Sequence, residues 1–248
     1  MRLVVAGASG TLGTHVVQAV RAAGHEPVSI SRQAGIDLLS GSGLAEALRG
    51  ASAVIDASAT SSTSTKASIG FFTTVTRNLL AVERAAGVGH HVAISIIGAA
   101  RVNANYYAGK AAQEAMLAAE PGGWSLLRTT QFHEFARQLV GHGRLGPVQV
   151  VPRMRSQPIA AAEVAAELVA TATGQPRGAL PALAGPQEEN MADLVRSYLA
   201  ATAHRCPVIE VPLPGAWGRG MQDGSLLPPA GTRCGRQTFA AWLAGQTP

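Results

Sequence analysis

The feature that most constrains the fold sits at the start of the chain. A short apolar run, Leu3-Val4-Val5-Ala6, breaks into glycines at Gly7, Gly10 and Gly13, and residues 14–23 carry on with apolar side chains at helical spacing. That pattern encodes a strand, a tight turn and a helix. Gly7 and Gly10 allow backbone angles closed to other residues and put no Cβ in a ligand's way, while Gly13 lets the helix lie close on the strand. The unpaired N–H groups of a helix's first turn, together with its dipole, favour an anion, so a pyrophosphate is the expected occupant. Glycine is common here, at 28 of 248 residues, so the triplet takes its meaning from the strand and helix that flank it.

A hydrophobic content of 47% is ample for a buried core in a chain of this length, which excludes disorder. No apolar run approaches the length of a bilayer span and no leader segment is read at the start, so a cytoplasmic protein with no membrane partner is expected. Cys206 and Cys234 fall outside any metal-type spacing and read as structural or incidental. The net charge of +5 does not mark a nucleic-acid binder, because charged residues make up only 14% of the chain and its arginines are not interleaved with aromatics. A small-molecule substrate is the expected partner, for a monomer or homodimer.

Along the chain, a second strand at residues 27–31 ends in Arg32. An acid at this strand end usually holds a free ribose 2′-hydroxyl and an arginine a 2′-phosphate, so Arg32 favours NADP(H), with NAD(H) as the alternative. A helix at 43–49, a strand at 53–58, a helix at 73–86 and a strand at 91–98 continue the alternation. Such alternation predicts an α/β fold with a doubly wound parallel sheet, because parallel strands need helical crossovers. Residues 59–66, all small or polar, read as a mobile loop at a strand's carboxyl end. His90 and His91 lack acidic or cysteine partners at ligand spacing, and no metal is expected.

Chemistry enters with Tyr106-Tyr107-Ala108-Gly109-Lys110. A tyrosine and a lysine four residues apart share a helix face, where the ammonium can favour the ionised phenol and the tyrosine can hand a proton to a carbonyl oxygen. The chain has three tyrosines and two lysines, Lys66 and Lys110, and a chance pair at this spacing is expected only about 0.02 times.

Together with Gly7-Ala8-Ser9-Gly10-Thr11-Leu12-Gly13, the segments Ser95-Ile96-Ile97-Gly98, Tyr106 to Lys110 and Arg128-Thr129-Thr130-Gln131-Phe132-His133 resemble the atypical short-chain dehydrogenase/reductases. The resemblance is to their NmrA-like group, often called nucleoside-diphosphate-sugar epimerase-like, and it runs nearly end to end, through Gln157-Pro158-Ile159 and Glu163-Val164-Ala165 to Val211-Pro212-Leu213-Pro214-Gly215. It implies a Rossmann core and specific roles. Gly7, Ser9, Gly10, Thr11 and Leu12 would hold the pyrophosphate, Arg32 the adenosine phosphate, and Asp37 and Leu38 would lie by the adenine, with Ala57, Ser58 and Ala59 bordering the ribose. Ser95 would face the nicotinamide or substrate oxygen, Tyr106 would donate the proton, and Lys110 would bind the nicotinamide ribose and tune the tyrosine. Thr129, Thr130 and Phe132 would line the nicotinamide and substrate side. Two positions depart from the family's pattern: Ala6 stands where threonine is common, and the gap from Ser95 to Tyr106 is short.

Residues 151–248 change character, with helices expected at 161–173 and 191–203 and prolines at 212, 214, 228 and 229 that exclude long regular elements. This part resembles a small substrate-covering region, set against a dinucleotide-binding core at 1–150, all within one chain unit at 1–248. Trp217, Met221, Leu226 and Leu227 would finish the core or form an apolar lid. The activity expected is hydride transfer between a nicotinamide and a ketone or quinone, aromatic or polyketide-type acceptors included; the alternative is a dinucleotide-sensing regulatory protein without chemistry.

Overall fold

The computed structural model describes residues 1–246, so the last two residues of the expected unit at 1–248 lie outside the described residues. In chain order the elements begin with β1 (Arg2–Ala6), α1 (Thr11–Ala22), β2 (Glu26–Ile30), α2 (Leu44–Ala47), β3 (Ala53–Asp56), α3 (Thr65–Ala86) and β4 (His91–Ile96). There follow α4 (Ala99–Val102), α5 (Asn105–Ala118), β5 (Trp124–Thr129), α6 (Glu134–His142), β6 (Arg144–Leu145), β7 (Val148–Pro152), β8 (Arg155–Ser156), α7 (Ala161–Ala172) and β9 (Gly178–Ala179). The chain continues through β10 (Leu183–Ala184), β11 (Glu189–Asn190), α8 (Met191–Ala201), β12 (Val208–Val211), α9 (Gly215–Gln222), β13 (Arg233–Cys234) and α10 (Phe239–Ala244).

These elements fall into two compact units. The first comprises Met1–Ser95, Ala104–Arg128 and Ala162–Pro181. Its strands run parallel in the order β5-β4-β3-β1-β2, with β9 beside the start of β5. Register follows from burial: Val4 lies between Val28 and Val54, and Val5 between Ser29 and Ile55. Both faces of β1 are covered, so Leu3, Val4, Val5 and Ala6 are fully buried, as a central parallel strand requires. On one face Val4, Ile30, Leu44, Leu48, Val54, Val75 and Leu79 form a single cluster, each such side chain contributing about 1.5–3 kcal/mol by burial. In the second unit, Ile96–Asn103, Thr129–Ala161 and Ala182 onward, Leu183 of β10 pairs in parallel with Thr129, and β13 pairs in parallel with β10. Eight strands are counted in the central sheet among the described residues, and the chain is a Rossmann-like α/β protein.

Within the second unit, β12 and β7 pair in parallel and β6 turns back on β7. Asn190 starts α8 by accepting a hydrogen bond from the Ala192 amide, and Glu189 pairs with Ser156 across β11 and β8, so the acidic stretch before this helix is a strand and cap. Met221 and Leu226 are buried and Trp217 half-buried, completing this unit's apolar interior.

Two elements differ from the sequence reading. The helix expected at 73–86 begins eight residues earlier at Thr65, because Ser64 accepts from the Ala67 amide and caps it, while Ser68 and Phe72 extend the buried stripe back. The loop after β3 is correspondingly shorter. The helix at 43–49 is a single turn at Leu44–Ala47 that buries Leu44. Among the described residues no helix is long and apolar enough to cross a membrane.

The histidine pair after α3 is structural in its contacts. His90 Nε2 lies 2.9 Å from Ser125 Oγ, and the buried His91 Nδ1 lies 2.8 Å from Glu83 Oε1. Burial opposes protonation of His91, but the charge and hydrogen bond of Glu83 outweigh it and raise the imidazole above its ordinary value. A raised folded-state value contributes stability that is complete below the unfolded histidine range and is lost as pH rises through the folded value. Glu83→Gln should therefore cost about 3 kcal/mol in urea unfolding at pH 6 and less at pH 9; an equal loss at both pH values would show that the pair is not charged.

Candidate active site

The glycine turn is built as its residue types require. Gly7, at φ 76°, and Ala8 both direct their amides to the Ile30 carbonyl at 3.1 Å, tying the turn to the end of β2, and the Gly10 amide donates to the Gly7 carbonyl at 2.9 Å. A Cβ on Gly13 would stand 2.1 Å from the Gly7 oxygen, and one on Gly7 would stand 2.8 Å from the Ala57 oxygen. No side chain caps α1 and no acid occupies its first turn, so nothing opposes an anion there. Ser9 and Gly10 are exposed at the turn, Thr11 is half-buried, and Leu12 is buried beneath the helix.

The other residues expected around a dinucleotide lie in the same unit. Ala57 donates its amide to Ala6 at 3.0 Å, which holds the segment after β3 beside the turn, and Ala59 is exposed beyond it. Ser58 is 2% exposed, its amide donates to Asp56 Oδ1, and its hydroxyl has no hydrogen-bond partner among the described residues. A buried hydroxyl in that condition is costly unless a ligand answers it. Arg32 opens a 3-10 turn directly after β2, exposed and without an ion pair among the described residues. Asp37 accepts from the Leu39 amide, and the half-buried Leu38 offers its carbonyl to Asn78. A cradle that side chains would fill, an uncapped helix start and an unanswered hydroxyl together fit a dinucleotide.

The second cluster is carried by α5. Gly109 permits close packing on α3: a Cβ there would lie 2.2 Å from Ser68 Oγ and 2.6 Å from the Phe72 ring. The approach brings Phe72 edge-on to Tyr106, with ring centroids 5.4 Å apart, and puts the Lys110 ammonium 4.2 Å from the Phe72 centroid. Lys110 is 2% exposed and donates to the Ile94 carbonyl and to Gln113 Oε1, each at 2.9 Å. Gln113 in turn donates to Asp56 Oδ2 at 2.8 Å. Burial draws the ammonium down to about 8, opposed by the carboxylates of Asp56 and Glu114.

Tyr106 does not follow the simplest expectation of a phenol acidified by its lysine. Desolvation, and after it the charge on Asp56, push the phenol above its ordinary value, while the ammonium is committed to Ile94 and Gln113. Ser95 is buried and donates to Glu114 Oε1 at 2.5 Å. Arg128 grips that carboxylate in a fork, with Nη2 at 2.6 Å from Oε2 and Nε at 3.0 Å from Oε1.

In the second unit, Thr129 and Thr130 are buried and Phe132 half-buried. The Thr129 carbonyl accepts from the Ile97 amide at 2.8 Å, Thr130 Oγ1 accepts from the Gly185 amide at 3.3 Å, and Phe132 forms a parallel bridge with Ile159.

Four residues of the first unit's polar network escaped the sequence reading of the site: Asp56, Gln113, Glu114 and Arg128. Signals existed for three of them. Asp56 ends an otherwise apolar buried strand, and Gln113 and Glu114 stand three and four residues beyond Lys110, on the helix face that Tyr106 and Lys110 share.

A family model described as NAD(P)H-binding matches residues 7–175, more than half of the chain. No curated protein matches the sequence. Among solved structures, the NADPH-dependent quinone oxidoreductase QOR2 of Escherichia coli complexed with NADPH is similar at 17% identity, covering 99% of each chain with a TM-score of 0.69. MoeE5 in complex with UDP-glucuronic acid and NAD is similar at 16% identity, over 98% of this chain and 97% of that one, with a TM-score of 0.73. A nucleoside-diphosphate-sugar epimerase from Staphylococcus aureus is similar at 14% identity, over 98% and 99%, with a TM-score of 0.68. At these identities the likeness is one of fold.

The geometry of the turn separates two of its glycines experimentally. Gly13→Ala should destabilise the protein by about 2 kcal/mol, since backbone surrounds the new methyl, and abolish NADPH binding. Gly10→Ala, whose methyl meets only the Gly7 oxygen at 3.2 Å, should keep its thermal midpoint within a few degrees yet weaken NADPH binding at least about tenfold. Unchanged NADPH titrations in Gly10→Ala would remove the pyrophosphate from this turn.

Proposed function

This chain belongs to the NAD(P)H-binding family, among the atypical short-chain dehydrogenase/reductases and their epimerase-like relatives, and from that premise we propose that it is an NADP(H)-dependent reductase of ketones or quinones. The observation that carries the reading is a single face of α5 on which Tyr106, Lys110, Gln113 and Glu114 are held against β3, α3 and β4, in the unit that contains the glycine turn.

When bound, the reduced nicotinamide supplies the hydride. The chain's own residues then manage the proton and the geometry. Gly7, Gly10 and Gly13 would seat the pyrophosphate, the Ser58 hydroxyl would gain a partner in the ribose, and Arg32 would meet the 2′-phosphate. Tyr106, a phenol held in its neutral form by desolvation and by Asp56, carries a proton across the working pH range and would deliver it to an alkoxide forming on a ketone. Lys110 offsets the charge left on the tyrosine. Thr129, Thr130 and Phe132 are proposed for the substrate side, and residues 151–248 mainly for covering the substrate.

A quinone asks less of the site. Its reduced oxygen is a phenolate, too weak a base to need the proton of a neutral tyrosine, so Tyr106 would matter for ketones and be dispensable for quinones. One observation favours a second reading, a dinucleotide-binding regulatory protein: the Ser95 proton is committed to Glu114 and the Lys110 ammonium to Ile94 and Gln113. NADPH oxidation measured against a panel of quinones, aromatic ketones and aldehydes distinguishes the two, and turnover of none would sink the reductase. In an active enzyme, Tyr106→Phe should lower ketone reduction about 10²–10⁴-fold and leave quinone reduction within about threefold; full ketone activity would remove Tyr106 from the chemistry. Arg32→Ala should weaken NADPH binding about tenfold and NADH binding by less than about twofold, and equal losses would return the cofactor choice to NAD(H).

A further inference from the structure

The amide of Gln113 is fully buried between a carboxylate and an ammonium. Its Nε2 donates to Asp56 Oδ2 at 2.8 Å and reaches Thr76 Oγ1 at 3.4 Å, while its Oε1 accepts from Lys110 Nζ at 2.9 Å. The opposite orientation of the amide would set donors against the ammonium and an acceptor against the carboxylate, so the two charges fix the way it points. Asp56 is fully buried and takes its other visible bond from the Ser58 amide, at the segment proposed to border the ribose.

We propose that Gln113 is a positioning residue, whose amide bridges Asp56 to Lys110 by hydrogen bonds and so holds the lysine charged and fixed against the Ile94 carbonyl, one turn from Tyr106. This deepens the reductase reading and rests on it for its consequence in catalysis. From β3 the charge of Asp56 acts on Lys110 and from its own helix that of Glu114, the uncharged Phe72 ring of α3 lies beside it, and its hydrogen bonds run to the Ile94 carbonyl of β4 and to Gln113. The charge of Asp56 is also felt by the buried His91, whose imidazole it helps to raise. No carboxylate is hydrogen-bonded directly to the ammonium among the described residues; the charge of Asp56 acts on it through space, and the amide of Gln113 is the hydrogen-bonded link between the two. A leucine at 113 would cut that link, and a glutamate would add a charge beside the ammonium.

The composition makes the test direct, because Lys66 and Lys110 are the only lysines in the chain. In Lys66→Arg protein labelled with [13Cε]lysine, Lys110 gives the sole lysine signal, and its chemical shift against pH reads its protonation without turnover. That signal should titrate near 8 in this background. Adding Gln113→Leu should move the midpoint down by about one unit or more, and Gln113→Glu should move it up by a similar amount. Asp56→Asn, nearly isosteric, should move it down and carries the test should the leucine variant not fold. Midpoints within about 0.3 units of the parent in the folded variants would overturn the proposal. Where NADPH-dependent reduction is measurable, its alkaline limb should shift with the NMR midpoint in each variant, with kcat changing more than the KM for the acceptor. If the NMR midpoints move but no acceptor is reduced, the positioning role stands and the reductase reading fails; if reduction is found but the midpoints stay, the reverse holds.

Discussion

A lysine ammonium with 2% exposure has to be answered from every side, and that requirement ties the first unit together. Desolvation of an ion costs several kcal/mol, which only bonds and nearby charge can offset. Four elements supply the answer: β4 a carbonyl, α5 the amide of Gln113, α3 the face of Phe72, and β3 the carboxylate of Asp56 one residue further along the chain of bonds. Each contribution presupposes the packing of another. The Phe72 ring reaches Nζ only because Gly109 lets α3 and α5 approach, and Asp56 reaches Gln113 only because β3 lies inside the sheet, between β1 and β4. The tyrosine one turn earlier is held by the same helix contact.

What the sequence disclosed and what it withheld follow from the range of the interactions. The glycine turn was legible because its strand, turn and helix are contiguous, and the crowding that demands glycine at 13 arises from Gly7 and Ala8, six and five positions earlier. Tyr106 and Lys110 were legible because one helical turn relates them. The links from Gln113 to Asp56 and from Glu114 to Ser95 span 57 and 19 residues, and a periodic pattern says which face of an element is buried but not which strand end it will meet. The start of α3 was hidden for another reason. Thr63, Ser64 and Thr65 are poor helix formers by composition, yet a serine is favoured at a helix N-cap, where Ser64 stands, and the buried Ser68 and Phe72 then settle the helix.

The arrangement around Ser95 bears on what kind of acceptor the proposed reductase would accept. A ketone reduced by hydride develops a localised, strongly basic oxygen, which calls for donors placed at that oxygen. Ser95 gives its proton to Glu114, and Arg128 fixes that carboxylate through two nitrogens, so releasing the serine would mean disrupting a charge-assisted cluster. With the Lys110 ammonium also engaged, Tyr106 stands as the donor with a proton to give. An acceptor that spreads its new charge over a ring needs fewer donors than one that concentrates it on a single oxygen. On the proposed reading, the hydrogen-bond economy of α5 and β4 therefore matches a delocalised acceptor better than an isolated ketone.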